Sequence, residues 1–473
     1  MLRAFQPRLL FAALAVTMTA WAVAPLPVAA DTLEAALISA YQSNPQLNAQ
    51  RALVRATDES VPQALAGYRP RVSATANINA AANTLVTRST PLLPTVPVTD
   101  QHISGGTTPR GYGATLTQSL FNGFQTANRT RQAESQVLAA RETLRTTEQT
   151  VLVSAVTAYM NLLRDTAILE LQRSNVEVLE EQLRQTRQRL ESGNVTATDV
   201  YQSEARLSVG RTQLFVAEAN YRTARAAYRQ AIGLEPGRLR PASPVDRYIP
   251  PNLPAITVVG LRDHPTVATA QHNVDVALSQ VKVAEGALYP TLSLLGSVQK
   301  NYDLGLTTPE NFVAQVGTQL SVPIYQGGAE YASIRQAKET LGQRRHDLDV
   351  ARDQVRLTIT QAWAQLDAAK SSIVATEAQV RAAEAALNGV REEARLGQRT
   401  TLDVLNAQQE LVNARIALVG AQRDRVVASY TLLAAIGRFS PAVLGLAVPL
   451  YDAQVHYHQI RDAWVGVRTP DGR

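Results

Sequence analysis

Two short stretches hold the residues best placed to do chemistry. "GQRTTLDVL" at 397–405 sets Arg399 four residues before Asp403, and "GNVTATDVY" at 193–201 repeats its glycine, threonine and aspartate without the arginine. Gly193, Thr196 and Asp199 thus align with Gly397, Thr400 and Asp403. A glycine takes the left-handed conformation that ends a helix, and Thr-x-x-Asp is a capping box in which the acid reaches back to the threonine's backbone. Both stretches therefore read first as reversals between antiparallel helices. For Asp403 a second chemistry stays open. Copies gathered round a symmetry axis would form a ring of like charge that holds cations and repels anions. His456 and His458 offer two ligands on one face of an extended tail, too few for a metal site, and read as solvated. There is no cysteine, which excludes disulfides, thiolate chemistry and a lipid-bearing cysteine. No phosphate loop, nucleophile elbow or paired-acid motif occurs. The expectation is a protein that is not an enzyme and takes no cofactor and no metal.

The elements that position these turns follow from composition. Over 473 residues only 5% are aromatic, and Ala, Gln, Arg and Leu fill long tracts, which is the composition of extended helices rather than of a large compact core. The 46 basic and 40 acidic residues are interspersed, so the net +6 describes a solvated surface and gives no nucleic-acid footprint. Residues 1–30, with Arg3, Arg8 and an apolar run ending at Ala30, read as a secretory signal. Beyond them no apolar stretch is long enough for a membrane helix, so any membrane passage must be made by β-strands.

The chain is written twice. "NPQLNAQ" at 44–50 answers "HPTVATA" at 264–270 at an offset of 220, while "RQAES" at 131–135 answers "RQAKE" at 335–339 at an offset of 204. The first copy thus carries sixteen extra residues between Pro70 and Ser119, in a Pro-, Thr- and Gly-rich stretch that reads as a long loop. Each copy runs helix, β-hairpin, helical hairpin. The expected segments are 31–68, 69–122 and 123–233, then 255–288, 289–326 and 327–437, with a Pro-rich equatorial connector at 234–254 and a C-terminal equatorial segment and tail at 438–473. Pro70, Gly123, Pro290 and Gly327 mark the junctions of strand and helix.

Apolar residues alternate with small polar ones at Val72–Ile78, Tyr112–Leu116, Leu292–Val298 and Phe312–Leu320, Leu295 being the exception. One apolar and one polar face suits a strand between lipid and water, though a soluble sheet with one buried face has the same pattern. Four strands cannot close a barrel, for which about eight is the minimum, and an open edge is forbidden in lipid. In a membrane, three chains would supply twelve strands. The helical tracts carry heptad seams: Val355, Ile359, Ala362, Leu366 and onward to Ala394 in the second copy, and Leu162, Leu169, Val176, Leu183 and Leu190 in the first.

"YRPRVS" and "LYPTLS" opening the strands, "SLFNG" and "PIYQG" leaving them, and "LGQRTTLDVLNAQQELVNAR" at the second turn together resemble the TolC family of trimeric outer-membrane exit ducts, over about 31–437. The resemblance implies a mainly α protein with membrane β: a duplicated helix-hairpin and β-hairpin unit that builds, as a homotrimer, a 12-stranded β-barrel in outer-membrane lipid, continued by a long 12-helix periplasmic α-barrel. It implies efflux or type I secretion of drugs or polypeptides, with a periplasmic adaptor and an inner-membrane ABC or RND-type transporter as partners. It also implies a closed tip, with Arg399 as a gate contact and Asp403 as a ring residue. The family's second aspartate corresponds to Asn406 and its closing tyrosine to Ala394, so one ring of charge and one latch contact differ. The absence of cysteine leans toward the polypeptide-secretion and general-export branch. The alternative is a periplasmic adaptor subunit, which normally carries one helical hairpin and not two.

Overall fold

The computed structural model describes residues 32–89, 99–193, 195–306 and 308–470, so the expected signal lies outside it. The first copy contains α1 (Leu33–Ser43), α2 (Pro45–Asp58), α3 (Ser60–Leu65), β1 (Arg71–Ile78), β2 (Ala81–Ser89), β3 (Thr99–Thr107), β4 (Arg110–Asn122), α4 (Gln125–Glu191) and α5 (Ala197–Ile232). The second contains α6 (Leu253–Asp263), α7 (Pro265–Gly286), β5 (Thr291–Gly305), β6 (Thr308–Ser321), α8 (Ala329–Arg395) and α9 (Thr401–Ala435), followed by α10 (Pro441–Leu444) and α11 (Ala453–Ile460).

The reading of one first helix per copy is corrected. A proline lacks the N–H that a continuing helix needs and pushes the residue before it into extended conformation. The breaks at proline fall at Asn44, with ψ 122, and at His264, with ψ 125. Each of these residues then caps the helix that follows. Asn44 Oδ1 accepts from the Gln46 and Leu47 amides, and His264 Nδ1 accepts from Thr266 N at 3.1 Å.

Helices α4 and α8 are both 67 residues long and begin 204 residues apart, each about 100 Å at 1.5 Å per residue. Each is matched by shorter helices laid end to end beside it. On α4, α5 covers the half nearest the turn, while α7 and α2 cover the half nearest the sheet. The main core lies midway along the long helices. There Leu152, Val156, Tyr159 and Leu162 of α4 meet Leu37, Leu47, Ile232, Ile256, Ile359, Leu432 and Phe439. The Pro-rich connector is tied to this waist by Tyr159, whose hydroxyl donates to Arg240 O at 2.7 Å and accepts from Arg240 N at 3.1 Å. Farther toward the turn a small cluster of Val176, Leu179, Leu183, Val200, Leu207 and Leu405 continues the seam.

Strands β1, β4, β5 and β6 form one antiparallel sheet in that order. Its register collects the apolar alternation of all four strands on one face: Val72 pairs with Leu116, Leu116 with Gly296 and Gly296 with Val316. The next such row is Ala74, Ala114, Val298 and Ala314. The opposite face carries Ser73, Thr115, Ser297 and Gln315, and Ser73 and Thr115 share a hydrogen bond of 2.7 Å. Leu295 sits in the polar set between Thr117 and Gly317.

The reading of the first copy's insertion as a loop is also corrected. Strands β2 and β3 pair from Ala81↔Thr107 to Ser89↔Thr99, in step with the Ile78↔Arg110 pair of β1 and β4. One hairpin therefore runs on beyond the four-stranded sheet, bridged across its gap by Asn79 N donating to Pro109 O at 2.8 Å. Residues 90–98 at its end lie outside the described part. Cross-strand polar pairs hold the ribbon: Arg88 with Asp100, and Asn83 with Thr107.

His458 is exposed as read, but His456 does not match its solvated reading. His456 is buried, and its Nδ1 lies 3.1 Å from Oδ2 of the buried Asp58. Arg141 donates to Ala453 O at 3.3 Å, so α11 is fastened to both α2 and α4.

Candidate functional site: the two helical turns

Both turns use the same backbone. Gly193 and Gly397 have φ of +74° and +78°, the left-handed region that a side chain disfavours, and each reverses a long helix into a short one. In the second turn the box is closed: Asp403 N donates to Thr400 Oγ1 at 3.2 Å, and Thr400 N donates to Asp403 Oδ2 at 3.0 Å. The Thr400 amide, and after it the Thr400 hydroxyl donating to the same Oδ2 at 2.9 Å, hold the Asp403 carboxyl below its ordinary range, and Arg399 adds a smaller pull. In the first turn Asp199 reaches back likewise, accepting from Thr196 N at 2.9 Å.

The side chains around the turns differ. Arg399 Nε donates to Glu393 Oε2 at 2.9 Å, so the arginine is engaged within its own hairpin and not by Asp403. Glu393 raises the Arg399 guanidinium further above its usual value. Asn406 Oδ1 accepts from Arg206 of α5 at 2.5 Å, joining the two hairpins of one chain. Beside it Leu405 is 2% exposed, inserted into the α4–α5 cluster, whereas its counterpart Tyr201 is 69% exposed.

Sequence reasoning missed Glu393, Arg206 and the anchoring role of Leu405. Leu405 opens a seven-residue apolar spacing with Val412, Val419, Val426 and Leu433, but which helices it touches is a tertiary fact; Arg206 and Asn406 are 200 residues apart and carry no local signal. The four junction residues lie together at the helix end of the sheet. Pro70 and Pro290 directly precede β1 and β5, and Gly123 and Gly327 follow β4 and β6 with φ of +62° and +72°. A side chain at Gly123 would meet Gly286 O of α7, which makes that junction a close backbone crossing. Among the described residues no group of three or more His, Asp or Glu could hold a metal, and no helix is long and apolar enough to cross a membrane.

One sheet with a continuous apolar face, from which two helices of about 100 Å project, is the build of an outer-membrane channel subunit. Solved structures share it: the CmeC outer membrane channel of Campylobacter jejuni superposes with a TM-score of 0.74 at 16% identity over 91% of this chain and 89% of its own. The OprN outer-membrane channel gives 0.70 at 19% identity over 86% and 90%.

The sequence places it further. The family described as "Outer membrane efflux protein" matches at residues 36–234 and again at 260–438, one match per copy, and the chain belongs to that family. It is 43% identical to the outer membrane efflux protein BepC of Brucella suis over 94% of this chain and 93% of that one. It is also 30% identical to the alkaline protease secretion protein AprF of Pseudomonas aeruginosa over 66% of each. The protein is thus an outer-membrane exit duct with a long periplasmic helical extension, and the adaptor alternative is set aside.

Proposed function

We propose that three copies close a 12-stranded barrel and a 12-helix tunnel, and that the second-copy turns form its gate. The reading contains no enzymatic step. It rests chiefly on the four-stranded sheet, whose apolar face is continuous while β1 and β6 leave open edges. An unpaired edge in hydrocarbon leaves several N–H and C=O groups unsatisfied, and further copies of the same sheet satisfy them. An inner-membrane transporter of the ABC or RND type supplies energy, and a periplasmic adaptor joins it to the turns. Drugs or polypeptides are the cargo; the relatives' names include protease secretion and pyoverdine export, which favours a broad export role.

At the gate, Asp403 from each chain forms the charged ring, and Asn406 spends its oxygen on Arg206 instead of adding a second ring. Opening moves the second hairpin away from the first, against the Leu405 contact and the Arg206–Asn406 bond, while the Arg399–Glu393 pair sets the shape of the moving tip. Planar-bilayer conductance of the purified trimer tests this. The wild type should conduct weakly, with block by divalent cations from the periplasmic side. Arg399→Ala and Arg206→Ala should conduct more, and Asp403→Ala should lose the block. Unchanged conductance in both arginine variants would remove the gate from these turns.

A further inference from the structure

The C-terminal segment after α11 returns to the sheet. Arg461 of the tail reaches Glu134 of α4, Arg69 Nη1 donates to Ala463 O at 2.6 Å, and the Arg69 guanidinium lies 4.8 Å from the Trp464 ring centre. Arg69 directly precedes Pro70 and β1, so Trp464 is fixed at the level where strands give way to helices. Its surroundings there are unsatisfied: Trp464 is 68% exposed, Val465 94% and Val467 101%.

That level is a membrane boundary by two independent marks. Exposed Tyr68, Tyr289, Tyr325 and Phe124 gather at the same four junctions, the position of an interfacial aromatic belt. A second aromatic set, Tyr112 and Phe312 on either side of Lys300 in one cross-strand row, lies at the other end of the sheet, with Tyr302 close by. From Tyr112 to Phe121 is nine residues, roughly 30 Å of strand and roughly 23 Å of height at a tilt of ~40°, which fits an apolar band of ~25 Å. Charge agrees with this placement. Arg69, Arg71, Arg461 and Arg468 flank the tryptophan, against the single acid Asp462 within 461–470, as suits the phosphates of headgroups.

We propose that Trp464, Val465 and Val467 form a membrane foot: a C-terminal lipid contact that seats on the inner leaflet of the outer membrane and continues the lipid-facing surface of the sheet below its junctions. The foot is built from the tail, outside both repeats. In a chain with no cysteine to carry an acyl anchor, it adds lipid contact beyond the barrel. The His456–Asp58 contact and the Arg69 clasp keep it at constant depth.

The chain has three tryptophans, Trp21, Trp363 and Trp464, so a Trp21→Phe/Trp363→Phe variant reports on Trp464 alone. The full protein is reconstituted in phosphatidylcholine vesicles with bromine at shallow or deep acyl positions, and emission is read with and without iodide in the water. Seating on the leaflet predicts a blue-shifted emission, quenched more by shallow than by deep bromine and little by iodide. Quenching by iodide with none by bromolipid would place the segment in water and overturn the proposal. Shielding from both quenchers would also overturn it, since another protein surface would then cover the segment. The foot rests on the sheet being the membrane wall. A second variant, with Val316→Trp on the apolar face and Trp464→Phe, separates the two ideas: quenching by deep bromine keeps the wall whatever Trp464 does, and its absence sinks both.

Discussion

The two helical turns have the same backbone and different surroundings. In each, a left-handed glycine is followed by a threonine and an aspartate that start the next helix. Yet Leu405 is driven into the other hairpin where Tyr201 stands open, and Asn406 is held by Arg206 of the first copy. The first hairpin is therefore the support and the second the part supported. Duplication supplied two equal hairpins, and a few side chains at one heptad level made them unequal.

Removing the supporting contact should have the largest effect. Leu405→Ala should cost about 2–5 kcal/mol of local stability, as cavity-forming core truncations do. Amide exchange at 396–406 should then quicken with no change at 192–202, and equal quickening at both turns would dissolve the distinction. Tyr201→Ala should leave exchange in its own chain unchanged, and a strong effect would show that a neighbouring chain covers it.

The helix breaks at Asn44 and His264 extend the comparison to the other end of each copy. Burial holds His264 at about 4 against an ordinary 6.5, so the folded chain binds fewer protons than the unfolded one between those values. The stability it contributes is whole above pH 6.5 and is lost as pH falls toward 4, because a protonated Nδ1 cannot accept from Thr266. His264→Asn, which copies Asn44, should abolish that acid-side loss in a thermal melt series. Glu148 at the same waist has the opposite sign. Burial raises it from 4.5 to about 7, with Arg51 and Arg145 opposing, so stability is lost as pH rises through 7, and Glu148→Gln should remove that loss.

Smaller effects follow at the turns. Thr400→Ala should cost about 1 kcal/mol of helix capping and Thr196→Ala less, since the bond from the N3 amide to the threonine hydroxyl is formed in the second turn. Arg206→Ala, an exposed pair, should cost below about 1 kcal/mol in stability while still raising conductance. A stability loss as large as that of Leu405→Ala would mean that the polar bond, and not the packing, holds the second turn.

Periodicity and internal repetition made much of the fold legible. The 204-residue offset anticipated two long helices that proved equal in length, and period-two alternation anticipated four strands whose apolar faces coincide in register. What escaped was held by context. The prolines at 45 and 265 mark the helix breaks, but reading each copy as one repeated unit merged the pieces on either side into a single first helix. The β2–β3 ribbon has Thr, Asn and Gly where a half-buried strand would show an apolar face, so it imitated a loop. His456 resembled a tail residue because its partner, Asp58, is 398 positions away. At the site, glycine and capping residues could be read from local rules, whereas the partners of Arg399 and Asn406 depend on which helices lie side by side.

The unbroken register from Arg71↔Thr117 to Ser89↔Thr99 has an evolutionary consequence. Residues added or lost as matched pairs at the hairpin's far end leave every inward and outward assignment below them unchanged. The outermost part of this protein is thus free to diverge under selection from outside the cell, while the wall it grows from inherits its geometry intact.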